Sequence, residues 1–155
     1  MKVLHVIPNL LKGGAQRLVI DICNKLIDYK EIECKLLVLS DLVNEFSFCS
    51  EKLDITFCKV NFQLSSIKKN NIEISSYEKF IDEFSPDIIH SHLYFAELVC
   101  HENIRKNIKY ISHFHSNTPE LKIKSFKELL MKKSYFEIFE KKRLLKKYLA
   151  ADKKF

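Results

Sequence analysis

Two small groups of residues stand out for the chemistry they could do. The 155-residue chain holds only two glycines, Gly13 and Gly14, and they are adjacent. Four of its six histidines form two H-x-H pairs, His90-Ser91-His92 and His113-Phe114-His115. Bare backbone lets a ligand approach closely, and imidazoles can exchange protons near neutral pH or bind metal. The elements around these residues decide whether they act together.

The glycine pair lies where a predicted strand passes into a predicted helix. Lys2 to Ile7 are mostly apolar, as in a strand buried on both faces. Ala15 to Tyr29 place their apolar residues on one stripe at helical spacing. The unpaired amides and the dipole at the start of such a helix favour an anion such as a phosphate. The alternative is that the two glycines only form the turn.

The rest of the chain continues the alternation of strand and helix. Further strands are predicted at 33–40, 54–60, 87–91 and 109–114, and helices at about 72–84, 93–106 and 123–150, with irregular stretches at 41–52, 61–71 and 116–120. This order predicts an α/β, Rossmann-like fold with a mainly parallel sheet and helices on both faces. Because no linker or repeat interrupts the pattern, residues 1–155 are interpreted as a single domain.

Strand order predicts where the unusual residues meet. Right-handed crossovers place the first, fourth and fifth strands side by side, with the glycine turn at the switch in strand order. Ligands of such folds bind outside the carboxyl ends of the strands. Residues 8–14, 90–94 and 113–120 would lie together at that edge.

Three interpretations of the histidine pairs stay open. Residues i and i+2 share one face of a strand, so each pair could present two imidazoles together. They could bind zinc, although no nearby Cys, Asp or Glu has a convincing ligand spacing. They could stabilise the strand ends and loops. One of them could act as an acid, a base or an electrostatic group in a cleft.

Charge and cysteine content narrow the class of protein. Residues 122–155 carry twelve Lys/Arg and four Asp/Glu, whereas residues 1–121 carry fourteen and sixteen, so the basicity belongs to the tail. The five cysteines include no C-x-x-C pair and are expected to be buried thiols in a reducing compartment. With no apolar run of membrane-spanning length and no signal peptide, the sequence predicts a cytoplasmic protein.

Three stretches resemble, in order, landmarks of the retaining glycosyltransferases of family 4. The first, HVIPNLLKGGAQRLVIDICNKL, resembles the family's opening strand, glycine-pair loop and A-[EQ]-R helix start. The second, PDIIHSHLYFAEL, resembles the P-D-[IV]-[IV]-H-x-H landmark. The third, YISHFHSNTPE, resembles a strand that ends in a histidine before a polar loop. Together they cover nearly the whole chain.

The resemblance implies the GT-B fold, in which two Rossmann-like domains face each other across a cleft. This chain would be the amino-terminal, acceptor-side domain. The implied substrates are a nucleotide-sugar donor and a glycan or lipid-linked acceptor, with no metal or other cofactor. By the same resemblance Gly13 and Gly14 approach the donor diphosphate, and His115 contacts the transferred sugar and is catalytic. His92, Tyr94 and Asn117 would line the acceptor side.

One departure from the family concerns the second domain, whose paired glutamates hold the donor. The sequence ends at ADKKF without it. We therefore expect a truncated domain with no transferase activity of its own: part of a longer enzyme, one half of a split enzyme that needs a donor-domain partner, or a gene remnant.

The basic tail supports an alternative function. Its apolar residues at helical spacing indicate a helix packed on the sheet with a solvated lysine face. They could instead form an amphipathic patch that binds anionic lipid at the inner membrane face. The chain would then be a non-catalytic binding or anchoring subunit. Nucleic-acid binding is disfavoured because no known motif is present, and a NAD site because the G-x-G-x-x-G fingerprint is missing.

Overall fold

The computed structural model of the chain describes residues 1–41, 44–63 and 71–113. Within these ranges the chain alternates strands and helices, with one short 3₁₀ turn at Ser47–Cys49. The elements in chain order are β1 (Lys2–Ile7), α1 (Gly14–Leu26), β2 (Glu33–Val38), β3 (Asp54–Phe57), β4 (Asn61–Gln63), β5 (Asn71–Glu73), α2 (Ser75–Phe84), β6 (Ile88–His92), α3 (Leu93–Cys100) and β7 (Lys109–His113).

Five strands form one parallel sheet in the order β3-β2-β1-β6-β7. The predicted Rossmann-like α/β fold is confirmed, as is the placing of the first strand beside those that carry the histidines. From β1 the chain moves outward to β2 and β3, then returns to the other side of β1 with β6. The switch in strand order therefore lies between β1 and β6, where open α/β sheets form a ligand crevice.

Helices cover the two faces of the sheet with separate apolar cores. On one face, Leu4, Val6 and Ile89 pack with residues of α2 and α3 such as Ile81 and Val99. On the other face, α1 packs over β1 and β2, and this second core contains Ile7, Leu10, Val19, Ile20, Cys23, Cys34, Leu36 and Val38. The alternation of side chains along each strand decides which core a residue joins.

Two predicted helices are shorter than expected. The first ends at Leu26 and the helix that starts at Leu93 ends at Cys100, several residues before the predicted limits. After Cys100 the backbone turns: the amide of His101 bonds Glu97 O at 2.9 Å and the amide of Glu102 bonds Val99 O at 3.2 Å. The chain thereby turns back toward the start of β7, where the Lys109 amide bonds Asp87 O at 3.0 Å.

The connection predicted to be irregular between 61 and 71 contains strand structure. Asn61–Gln63 and Asn71–Glu73 pair as an antiparallel ladder. As a result α2 begins at Ser75 rather than at 72. Backbone pairing between two short polar segments leaves no hydrophobic pattern from which a strand could have been inferred. The predicted final helix, at 123–150, lies outside the described residues.

The five cysteines are free thiols, as the sequence predicted. Cys23, Cys34, Cys58 and Cys100 are buried, Cys49 is half-buried, and all five are free. Among the helices in the described ranges, none combines the length and apolar character needed to cross a bilayer.

Candidate functional site

The loop between β1 and α1 does not need glycine for its backbone angles. Gly13 precedes the helix with φ −174° and ψ 159°, an extended conformation open to any residue. No glycine in the chain has a positive φ. The glycine pair is therefore not required by a left-handed backbone conformation in this turn.

The space around the two glycines gives a different reason for their presence. A Cβ atom at Gly13 would lie 2.4 Å from Oε1 of Gln16, whose side chain folds back over the loop. Nε2 of Gln16 donates to Oδ1 of Asn9 at 3.2 Å, and the same oxygen accepts the amide of Leu11 at 3.2 Å. A Cβ at Gly14 would meet no atom within 4 Å. The loop is thus tight at Gly13 and open at Gly14.

The electrostatics of this loop favour an anion. The amide of Lys12 donates to the carboxylate of Glu45, whose own amide bonds Leu10 O at 3.1 Å. A negatively charged oxygen already binds one amide of the loop. Gly13 occupies the position before the helix and supplies no side-chain cap, and the start of a 13-residue helix carries partial positive charge. A phosphate above Gly14 would meet the same kind of donors.

The histidines lie on one face of the three adjacent strands β1, β6 and β7. His5 pairs in register with His90, and His92 pairs with His113. Because side chains alternate along a strand, His90 and His92 share a face, as the H-x-H spacing predicted. Their ring centroids are 4.1 Å apart, and His113 lies 5.7 Å from His90 and 5.4 Å from His92.

His5, on β1, is a buried member of this histidine cluster, which comprises His5, His90, His92 and His113. Its Nδ1 lies 3.0 Å from Nε2 of His92, at hydrogen-bond distance. His5 is 1% exposed and His92 is not exposed at all, whereas His90 and His113 are half-buried. Burial, together with the neighbouring His90, lowers the pKa of His5 to about 3. His5 is therefore neutral at physiological pH.

A second polar group adjoins the cluster from the α1 side. A ring nitrogen of His5 and the sulfur atoms of Cys23 and Cys34 all lie within 4.8 Å of one another. Contact with Cys34 and burial raise the pKa of Cys23, so this thiol stays protonated. The two thiols and the four imidazoles form a continuous polar strip within a mostly apolar layer.

His5 was not among the site residues predicted from the sequence. It interrupts an apolar strand, and its significance follows only when β1 is placed beside β6 in the observed register. A histidine inside an otherwise apolar strand is the signal that could have indicated it, since a buried imidazole requires a polar neighbour.

The turn from β6 into α3 is strained. Leu93 has φ 68°, in the left-handed region that leucine rarely adopts. Such a conformation costs on the order of 1–2 kcal/mol. The Leu93 side chain packs against the α1-side core, which also contains Leu10 of the glycine loop. Packing thus holds the turn that points His92 inward and starts α3 at the sheet edge.

The predicted site residues within the described ranges lie along one edge of the sheet. Gly13 and Gly14 follow β1, and His92 and Tyr94 lie at the junction of the neighbouring strand β6 with α3. Tyr94 is half-buried and packs against the apolar core on the α2 and α3 side. His115 and Asn117 lie outside the described residues, and their roles stay predictions.

Comparison with known proteins identifies the family. The model of Glycosyltransferase Family 4 matches residues 12–153, most of the chain. Comparison with curated proteins returned no match. Among solved structures, the chain is similar to UDP-GlcNAc 2-epimerase from Neisseria meningitidis bound to UDP-GlcNAc, with 18% identity and a TM-score of 0.45. The alignment covers 65% of this chain and 29% of the epimerase chain, so this chain spans less than a third of that protein. On the family match, the chain belongs to glycosyltransferase family 4.

Proposed function

We propose that this chain is the acceptor-side domain of a retaining glycosyltransferase that moves a sugar from a nucleotide-sugar to a glycan or lipid-linked acceptor. Family membership supports sugar transfer in general. The observation that carries the specific proposal is the open space above Gly14, at the start of α1 and beside the switch between β1 and β6. Function then requires a donor-binding domain, on the same polypeptide or on a partner.

In this proposal the glycine loop stabilises the leaving group. The departing nucleoside diphosphate gains negative charge in the transition state, and fixed donors aimed at that charge lower the barrier. The first amides of α1 and its dipole supply such donors without a side chain in the way at Gly14. The loop then needs no metal to balance the diphosphate charge.

His115 is proposed as the catalytic residue because it matches the family's strand-end histidine and comes two residues after β7 in the sequence. It would contact the transferred sugar. His92, Tyr94 and Asn117 would line the acceptor side, as the resemblance implies; His92 is fully buried at the end of β6. Such a division places donor and acceptor on two sides of the switch between β1 and β6.

The test is to assemble the chain with a family 4 donor-binding domain and to measure nucleoside diphosphate release together with sugar transfer. Assembly should produce transfer that neither part shows alone. In the assembled enzyme, His115→Ala should lower turnover at least tenfold, which is a barrier increase of about 1.4 kcal/mol. His101→Gln changes a histidine that follows α3 and lies 5.8 Å from the ring of Tyr110, near the start of β7. It serves as the control and should keep turnover. Unchanged turnover in His115→Ala would remove that residue from the mechanism.

The charge of the tail favours a second candidate function, recruitment to a membrane. Residues 122–155 carry a net charge of +8 and many apolar side chains. Basic residues near an anionic surface contribute roughly 1 kcal/mol each to binding. We propose that this segment contacts the inner membrane face, where a lipid-linked acceptor would be reached. The chain should sediment with anionic vesicles and not with neutral ones; equal binding to both, or none, would contradict the proposal.

A further inference from the structure

The histidine cluster brings three possible metal-ligand atoms together. One ring nitrogen from each of His5, His90 and His92 lies within 4.8 Å of the other two. Nδ1 of His5 and Nε2 of His92 are 3.0 Å apart. Two of the three side chains are fully buried and sit on strands at the centre of the sheet. Their positions are therefore fixed by the backbone register of β1 and β6.

These separations are close to those that a tetrahedral metal ion requires. Zinc binds imidazole nitrogens at about 2.0–2.1 Å, which places two ligand nitrogens roughly 3.3 Å from each other. The 3.0 Å pair already has nearly this spacing. The other separations within the 4.8 Å group can close by ring rotation, because imidazoles turn about χ1 and χ2 without backbone movement.

We propose that His5, His90 and His92 form a binding site for a divalent transition-metal ion of the zinc class. Neutral imidazole is the ligand form that zinc, copper and nickel prefer. The ion would join β1 to β6 directly across the switch in strand order. Three histidines and one remaining coordination position also match the ligand count of open zinc sites.

Access and a fourth ligand come from the β7 side of the cluster. His90 and His113 are half-buried, so the cluster meets solvent there rather than beneath α1. The His113 ring lies 5.4 Å from the His92 ring and 5.7 Å from the His90 ring. Water or His113 could therefore complete the coordination of the ion.

The thiols of Cys23 and Cys34 are the competing ligands, because they also lie within 4.8 Å of a His5 nitrogen. Both are buried, Cys23 on α1 and Cys34 on β2. Which side takes the ion is decided by comparing histidine and cysteine variants.

The test uses the full chain without a polyhistidine tag, stripped with chelator and titrated with zinc chloride by calorimetry. The wild type should bind one equivalent and melt at a higher temperature with zinc than without it, since a ligand that binds the folded state stabilises it. His90→Gln should weaken zinc binding at least tenfold and abolish the thermal shift. His101→Gln, which removes a histidine outside the cluster, should change neither, and circular dichroism would confirm that each variant folds. His90→Asn removes the same imidazole with a shorter side chain and should weaken zinc binding in the same way.

Two results would overturn the proposal. One is a wild type that binds zinc no more tightly than His90→Gln. The other is zinc binding that survives His90→Gln and is lost in Cys23→Ser or Cys34→Ser, which would place the ion on the thiols. Cobalt provides an independent check: its spectrum should lack the thiolate charge-transfer band that cysteine ligands produce. These measurements test the metal site independently of whether the chain takes part in sugar transfer.

Discussion

The two faces of the central sheet differ in the residues that the same strands present. The face toward α2 and α3 is an apolar core in which Leu4, Val6 and Ile89 are completely buried. The face toward α1 carries an apolar core over β1 and β2, and across β1, β6 and β7 it carries the histidine cluster. Ile89 and His90 are consecutive residues, yet one belongs to the core and the other to the cluster.

This difference shows how one strand can serve stability and chemistry together. Successive side chains of a strand point to opposite faces, so a two-residue period separates the two roles. In β6, Ile89 supplies the apolar core, whereas His90 and His92 supply imidazoles on the opposite face, beside the switch in strand order. Substitutions at neighbouring positions should therefore have unlike effects.

The largest expected difference is between Ile89→Ala and His90→Ala. Ile89 is fully buried, and truncation should lower the free energy of unfolding by about 2–5 kcal/mol through lost burial and a cavity. His90 is half-buried, and its truncation should cost about 1 kcal/mol or less. Urea unfolding of both variants without added metal measures the two values. Equal losses would mean that the two faces contribute alike and that the comparison is wrong.

A smaller effect should appear as a pH dependence that arises on the histidine face. The pKa of His5 is about 3 in the folded chain against 6.5 for an unperturbed histidine. The unfolded chain therefore binds more protons as pH falls below 6.5, and stability declines in the window from 6.5 toward 3. Between pH 7.5 and 5 this group alone should lower the free energy of unfolding by about 2 kcal/mol.

Urea unfolding of the wild type and of His5→Gln across this pH range isolates the contribution of His5. Other groups titrate in both proteins, so the difference between the two curves is the quantity to compare. The wild type should lose more stability on acidification than His5→Gln. Parallel curves would show that His5 is not kept neutral by burial.

The smallest expected effects concern the glycine loop. Gly14→Ala should raise the free energy of unfolding by up to about 1 kcal/mol, because a methyl group there meets no atom and restricts the unfolded chain. Gly13→Ala should raise the free energy of unfolding by less, or not at all, because its Cβ displaces the Gln16 amide from its hydrogen bond to Asn9. Thermal unfolding of the two variants shows which of them is more stable. The reverse order would mean that the loop is open at Gly13 instead.

The sheet was predictable because its signals are strong and local. Apolar runs at β1, β2 and β6 alternate with amphipathic helices, and this alternation allows few topologies. The short β4 and β5 pair was missed because its stability comes from cross-strand pairing of polar segments rather than from a hydrophobic period. Two helix ends were misplaced: Ile27 and Tyr29 continue the apolar pattern beyond the end at Leu26, whereas the end at Cys100 is followed by the polar run from His101 to Asn103.

The site was only partly predictable, because proximity between distant residues depends on register. The H-x-H spacing was enough to place His90 and His92 on one face. It could not reveal that His5, eighty-seven residues from His92 in sequence, lies 3.0 Å from it. The glycines were identified correctly as unusual, but the contact of Gly13 with Gln16 and the open space at Gly14 required coordinates.

The most direct test of the central claim is the affinity of the assembled enzyme for the nucleotide-sugar donor in wild type and Gly14→Val. Lys25→Ala, at the far end of the same helix, is the control. We expect Gly14→Val to weaken donor binding at least tenfold, with acceptor binding retained and Lys25→Ala unchanged. Donor affinity equal in wild type and Gly14→Val would contradict the account, because the diphosphate would then not lie against the start of α1.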